Sequence, residues 1–122
     1  MNWRVPFLLA VLLAQLCPAA ELRDLKVLYV GNATSARTAD FKAFLSTSVA
    51  RVTVASSASF DPALANQFDV IVLDWPPTDP KGEFPPKWTP LGKRNAWTKP
   101  TVLVGRAGLY LAYVWDIKGA FG

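Results

Sequence analysis

The sequence has 122 residues, which is enough for one domain. It carries 13 Lys and Arg against 9 Asp and Glu, a formal net charge of +4, with no histidine and a single cysteine. This mild basicity does not predict nucleic-acid binding, and the lack of histidine removes the commonest general base and metal ligand. No metal site and no cofactor are predicted.

The first twenty residues have the three-part pattern of a secretory signal peptide. A short basic start is followed by an apolar run at 5–16 and by small residues just before Glu21. The apolar run is shorter than the ~20 residues that span a bilayer as a helix. We therefore predict a signal peptide at 1–20 and a mature domain at 21–122 with no membrane anchor. Cleavage also removes Cys17, and an exported domain without disulfides indicates a secreted or periplasmic bacterial protein.

Apolar runs predict strands that alternate with helices from residue 25 onward. Strands are expected at 26–30, 51–55 and 70–73 and within 100–105, and a helix at 107–115. A second helix is predicted after the first strand, with Ser35 or Thr38 as its N-cap. Its apolar positions are Phe41, Phe44, Leu45 and Val49.

Between the second and third strands, Asp61 and Pro62 are suited to the N-cap and first position of a short helix. The whole pattern predicts an α/β domain whose strands are buried on both faces. We expect a three-layer, flavodoxin-like parallel sheet in the order 2-1-3-4.

Ligands of such sheets bind at the carboxyl ends of the strands. The residues expected there are Gly31 and Asn32, Asp74 and Trp75, and Gly105 and Arg106. Asp74 could bind a ligand, serve as a catalytic carboxylate or cap the loop that follows it. Arg106 could bind an anion at a helix N-terminus or be an exposed turn residue. No second carboxylate can be placed beside Asp74, so a general acid/base pair is not predicted.

A long loop at 75–100 contains seven of the ten prolines, three of the five tryptophans and five basic residues. One interpretation is a binding surface in which Trp75, Trp88 and Trp97 stack on a ligand, with carbohydrate as the attractive class. The other is that these tryptophans anchor the loop to the body of the domain. We favour the anchoring interpretation, with the basic residues solvating the loop.

The order of elements, together with the segment KPTVLVGRAGLYLAYVW at 99–115, resembles the class I glutamine amidotransferase-like superfamily. Within it, the segment is similar to the ThuA-like, trehalose-utilisation type and related secreted bacterial proteins. The amidotransferase turn is Gly-x-Cys-x-Gly. Matching Gly108 to its second glycine puts Arg106 at the nucleophile position, and matching Gly105 to its first glycine puts Ala107 there.

Neither match supplies a nucleophile, and the family's histidine and acidic residue belong to a segment beyond residue 122. The resemblance therefore implies the fold without glutamine hydrolysis. The leading hypothesis is an exported, non-catalytic binding or accessory module for a carbohydrate or a small anionic ligand.

A second hypothesis starts from the strand count, because only four strands are found where five are typical. The sheet is then either a minimal domain with an exposed edge or the front of a longer protein, and we lean towards the latter. In that case the chain is the N-terminal part of a secreted hydrolase or sugar-modifying enzyme with catalytic residues beyond Gly122. A flavin-binding redox partner is a third alternative, which export disfavours.

Overall fold

A computed structural model describes residues 21–75 and 86–117. The predicted signal peptide, residues 76–85 of the long loop and the last five residues lie outside this range. The strands are β1 Lys26–Gly31, β2 Arg51–Ser56, β3 Val70–Leu73 and β4 Thr101–Leu103. The α-helices are α1 Ala36–Ser46 and α2 Ala107–Val114, and 3-10 helices occupy Leu22–Asp24, Pro62–Gln67 and Arg94–Ala96.

The four strands form one parallel sheet in the order β2-β1-β3-β4, which confirms the predicted flavodoxin-like topology. In the central pair, Leu28 lies opposite Ile71 and Val30 lies opposite Leu73. Both strands are almost wholly buried, because helices cover the two faces of the sheet.

Each face of the sheet has its own apolar core. On one face, Val27, Tyr29 and Val72 pack under Phe41 and Leu45 of α1. On the opposite face, the other side chains of β1 and β3 pack with α2, with the 3-10 helix at 62–67 and with part of the long loop. The buried residues of this second core are Leu28, Val30, Ala65, Phe68, Ile71, Leu73, Trp75, Leu91, Ala107, Tyr110 and Leu111. The domain therefore has three layers.

Side-chain caps begin two of the helical segments. The Ser35 hydroxyl accepts the backbone N–H of Thr38 at 3.1 Å, so Ser35, not Thr38, is the N-cap of α1. Asp61 accepts the N–H of Ala63 at 2.9 Å, with Pro62 at the first position as predicted. The segment that Asp61 begins is a 3-10 helix.

Two expectations about burial are wrong. Phe44 is 69% exposed, because Phe41 and Leu45 form the partly buried face of α1 and consecutive helical residues point about 100° apart. Val102 and Leu103 of β4 are also exposed, although every strand was expected to be buried on both faces. β4 is the last strand of the described sheet, so its outer side has no neighbouring strand there.

Within the described residues, no helix has the length and apolarity that crossing a membrane requires.

Candidate functional site

Charged and polar side chains meet at the carboxyl edge of the sheet, where β1 and β3 lie side by side. The chain leaves β1 towards β2 and leaves β3 towards β4, and this reversal of direction is where parallel sheets form a ligand crevice. Asp74 directly follows β3, and Arg37 lies in the first turn of α1. Arg37 Nε donates to Asp74 Oδ2 at 2.7 Å. The hydroxyl of Tyr29 donates to the same carboxylate oxygen.

The turn between β1 and α1 sets the position of Arg37. The backbone carbonyl of Asn32 accepts the Thr38 hydroxyl at 2.6 Å and the Ser35 hydroxyl at 3.1 Å. The Asn32 side-chain oxygen accepts the N–H and the hydroxyl of Thr34. The side-chain oxygen of Asn32, a predicted ligand-binding residue, thus helps to stabilise the turn. This turn begins α1 directly above the strand ends and so brings the Arg37 guanidinium to Asp74.

Gly31 lies at a crowded position between the Tyr29 ring and the end of β3. A Cβ atom at Gly31 would lie 2.9 Å from Tyr29 Cε1 and 3.2 Å from the carbonyl oxygen of Asp74. The absence of a side chain at residue 31 lets the tyrosine ring extend along the strand to Asp74. Gly31 therefore shapes the cluster without contributing a functional group.

The pair formed by Tyr29 and Asp74 fixes the protonation of the phenol. Burial raises the pKa of Tyr29 to about 12, and the hydrogen bond to Asp74 adds to that effect. The phenol is consequently neutral and a hydrogen-bond donor at physiological pH. The hydrogen bond to Asp74 likewise raises the pKa of Arg37, whose guanidinium stays charged.

Arg37 is the exposed member of the cluster. Its side chain is 48% exposed, against 13% for that of Asp74. The guanidinium carbon lies 5.4 Å from the ring centroid of Phe41, one turn further along α1. The Phe41 ring contacts Tyr29 at a centroid distance of 5.7 Å, which closes a ring of four residues. Arg37 is therefore held by an ion pair and a cation–π contact while it faces solvent.

The turn between β4 and α2 lies beside this cluster. A Cβ atom at Gly105 would come within 3.3 Å of Arg37 Nη2, and Gly105 has a φ of +63°. Arg106 is exposed and makes no side-chain cap on α2. The structure thus brings the predicted residues Gly31, Asp74 and Gly105 together around Arg37.

The three tryptophans of the long loop have different environments. Trp75 is only 4% exposed and packs edge-on against Tyr110 with their ring centroids 5.6 Å apart. It is therefore not available to stack on a ligand. Trp88 contacts Trp75 at 5.8 Å and is 54% exposed. Trp97 is half-buried and donates its indole N–H to the hydroxyl of Thr101 at 2.9 Å. Trp97 belongs to a separate cavity on the α2 face.

Sequence reasoning missed Tyr29 and Arg37. Tyr29 is the one aromatic side chain in a strand that otherwise holds Lys26, three aliphatic residues and Gly31, and Arg37 follows the N-cap by two residues. Either observation could have suggested a contact with Asp74 at the same edge. In the part of the chain that the structure describes, no three His, Cys, Asp or Glu side chains are grouped as a metal site would need.

The fold and the site together define an α/β protein of flavodoxin-like topology with an Arg–Asp–Tyr cluster at its switch point. Comparison with known proteins does not narrow this class, because no protein-family model, no curated protein and no solved structure matches the chain.

Proposed function

We propose that this domain is an exported, non-catalytic member of the amidotransferase-like superfamily, of the ThuA-like type. It acts as an accessory module that binds a small anionic ligand at the carboxyl edge of its sheet. The observation that carries the proposal is the half-exposed guanidinium of Arg37, which Asp74 and Phe41 hold in place.

The topology and one turn support the family assignment. The sheet has the order 2-1-3-4, and β4 runs through a short turn into α2. Gly105 has a φ of +63°, a conformation that glycine adopts without strain in such a turn. In the proposed alignment Arg106, or Ala107 in the alternative one, takes the position of the family's nucleophile, and neither side chain can attack a carbonyl.

The charge distribution of the edge favours an anion. Asp74 is largely covered, whereas the Arg37 guanidinium and the Arg106 side chain are exposed. A guanidinium offers several N–H donors in a planar arrangement that matches a carboxylate or a phosphate. Because the ion pair already fixes Arg37, a ligand would order few additional side-chain torsions on binding.

An anion titration followed by NMR tests this function. Inorganic phosphate and acetate are added to the ¹⁵N-labelled protein, with glucose as the uncharged comparison. We expect phosphate to shift the amide signals of Gly105 and Arg106 and glucose to leave them unchanged. Arg37→Gln should abolish the phosphate shifts, whereas Arg23→Gln, at an exposed arginine of the 3-10 helix at 22–24, should not. Equal behaviour of the two variants would refute the proposal.

The exposed outer side of β4 favours a second candidate function. An additional strand beside β4, with a helix covering it, would bury Val102 and Leu103, as in a larger catalytic domain. In this case the chain is the N-terminal part of a secreted hydrolase or sugar-modifying enzyme. The reading frame beyond Gly122 decides between the candidates. A further strand followed by a histidine and an acidic residue supports the enzyme, and an immediate stop codon contradicts it.

A further inference from the structure

A cavity of about 280 Å³ lies between the 3-10 helix at 62–67 and the loop segment at 91–99. Its floor includes Ala65 and Leu91, both of which belong to the buried core on the α2 face of the sheet. The Arg37 cluster lies over the core on the α1 face, so the two sites are separate. We propose that this cavity binds a single acidic sugar of the uronate type. This inference goes beyond the anion site at the carboxyl edge.

Trp97 gives the cavity an aromatic lining residue whose position is fixed. Its indole N–H donates to the Thr101 hydroxyl at 2.9 Å, and that hydroxyl donates to the carbonyl of Lys99 at 2.9 Å. These bonds tie the indole to the start of β4. A ring that is already ordered gives a ligand apolar contact area with little loss of side-chain freedom. The C–H groups of a sugar ring are suited to contact with such a surface.

The charge around the cavity selects an anion. Two lysines, Lys93 and Lys99, line it, and none of its described lining residues is acidic. The Lys99 ammonium donates to the backbone carbonyl of Phe68 at 2.9 Å, which orients it and leaves further N–H donors on the same nitrogen. Lys93 is exposed, and only its backbone takes part in the start of the 3-10 helix at 94–96. A carboxylate on the ligand would have two cationic partners.

The size and the remaining polar groups narrow the ligand class. A cavity of about 280 Å³ lies just below the usual range for small-molecule pockets, about 300–1,000 Å³, which suits one sugar ring and not a long chain. Asn66 and Thr98 also line it and can hydrogen-bond hydroxyl groups. An apolar floor, an indole, two lysines and these polar side chains match a six-membered ring that carries hydroxyls and one carboxylate.

Binding of glucuronate to the full chain, followed by NMR at the indole N–H of Trp97, tests the proposal. Glucose and acetate serve as comparison compounds, because glucose lacks the carboxylate and acetate lacks the sugar ring. We expect glucuronate to shift the indole signal and to bind more tightly than either comparison compound. If glucuronate leaves the indole signal unchanged, or if glucose binds as tightly as glucuronate, the proposal is wrong.

A charge variant and a matched control complete the test. Lys93→Ala should weaken glucuronate binding about fivefold, the upper range for one partly exposed ion pair. Lys42→Ala, at an exposed lysine of α1, should leave it unchanged. Equal affinity of these two variants would contradict the cavity site. If Arg37→Gln abolishes glucuronate binding, the sugar binds at the carboxyl edge, and the cavity proposal fails while the proposed function stands.

Discussion

Arg37 and Asp74 are 37 residues apart in the sequence, yet Arg37 Nε lies 2.7 Å from Asp74 Oδ2. This contact joins the start of α1 to the end of β3 across the carboxyl edge of the sheet. A half-exposed ion pair of this kind contributes little to stability, because solvent screens it. The buried partner of Asp74, the Tyr29 hydroxyl, depends more strongly on the same carboxylate.

We expect substitutions of the two members of the ion pair, Arg37 and Asp74, to differ in their effect on stability. Arg37→Gln should lower the free energy of unfolding by less than about 1 kcal/mol. Asp74→Ala should lower it by about 1–3 kcal/mol more, because the buried Tyr29 hydroxyl would lose its acceptor. Urea unfolding followed by circular dichroism measures both changes. Equal losses would show that the ion pair, and not the tyrosine, makes Asp74 structurally important.

The raised pKa of Tyr29 predicts that the domain loses stability at high pH. Its pKa is about 12 in the folded chain and near the ordinary value of 10.0 when unfolded. Below pH 10 the phenol is protonated in both states, so its contribution is fully present. Between pH 10 and 12 the unfolded chain loses the proton first, which favours unfolding by about 2–3 kcal/mol across that window.

The variant Tyr29→Phe isolates this effect from other groups that titrate in the same range. It should be less stable than the wild type at pH 8, since it lacks the hydrogen bond to Asp74. Its stability should fall less than that of the wild type between pH 10 and 12. Urea unfolding at several pH values checks this, and parallel curves for the two proteins would contradict the raised pKa.

Gly31→Ala should destabilise the domain by about 1–3 kcal/mol. The new methyl group would meet the Tyr29 ring at 2.9 Å and the Asp74 carbonyl at 3.2 Å, which forces both to move. Gly108→Ala is the matched control, because its methyl group would make an ordinary 3.6 Å contact with Leu103. Alanine also suits a helix better than glycine, so the control should be neutral or more stable in thermal unfolding. A Gly31→Ala domain as stable as the wild type would contradict the crowding.

The end of α2 can be stabilised by one substitution. The N–H of Ile117 donates to the Ala112 carbonyl at 2.9 Å and the N–H of Asp116 to the Tyr113 carbonyl at 3.3 Å, which form a Schellman motif. Asp116 has a φ of +48°, the left-handed conformation that glycine adopts without strain. Asp116→Gly should therefore raise the free energy of unfolding by about 1 kcal/mol.

Asp116→Ala separates backbone strain from charge. It removes an acidic side chain from a helix C-terminus, where negative charge is unfavourable, but it keeps the Cβ atom. We expect a smaller gain for alanine than for glycine in chemical unfolding. If alanine stabilises the domain as much as glycine does, charge and not strain is responsible.

The fold could be predicted because its signals are local. The continuous apolar run at 70–73 indicated a strand buried on both faces, and the Asp61–Pro62 pair marked the start of a helical segment. Alternation of such strands and helices leaves few topologies once crossovers are right-handed. The predicted order 2-1-3-4 is the order observed. Edge positions were less predictable, since the exposure of Val102 depends on whether another strand lies beside it.

The candidate site was only partly predictable. Parallel strands end at one edge, so the sequence placed Gly31, Asp74 and Gly105 there. It did not identify Tyr29, because the sequence does not distinguish a strand tyrosine whose hydroxyl is solvated from one that donates to a carboxylate 45 residues away. The anchoring interpretation agrees with the burial of Trp75, but the sequence did not identify Tyr110 as its partner, because that contact depends on how the loop packs over α2.

For this protein the sequence alone determined the element order, the topology and the edge where polar residues would gather. Each of these follows from side-chain periodicity, capping and the short reach of neighbouring residues. Only the tertiary structure decided that Arg37 and Tyr29 share the carboxylate of Asp74. It also decided that Trp97 and two lysines line a cavity on the opposite face of the sheet. Those arrangements depend on distances between segments far apart in the chain, which packing sets and local pattern does not record.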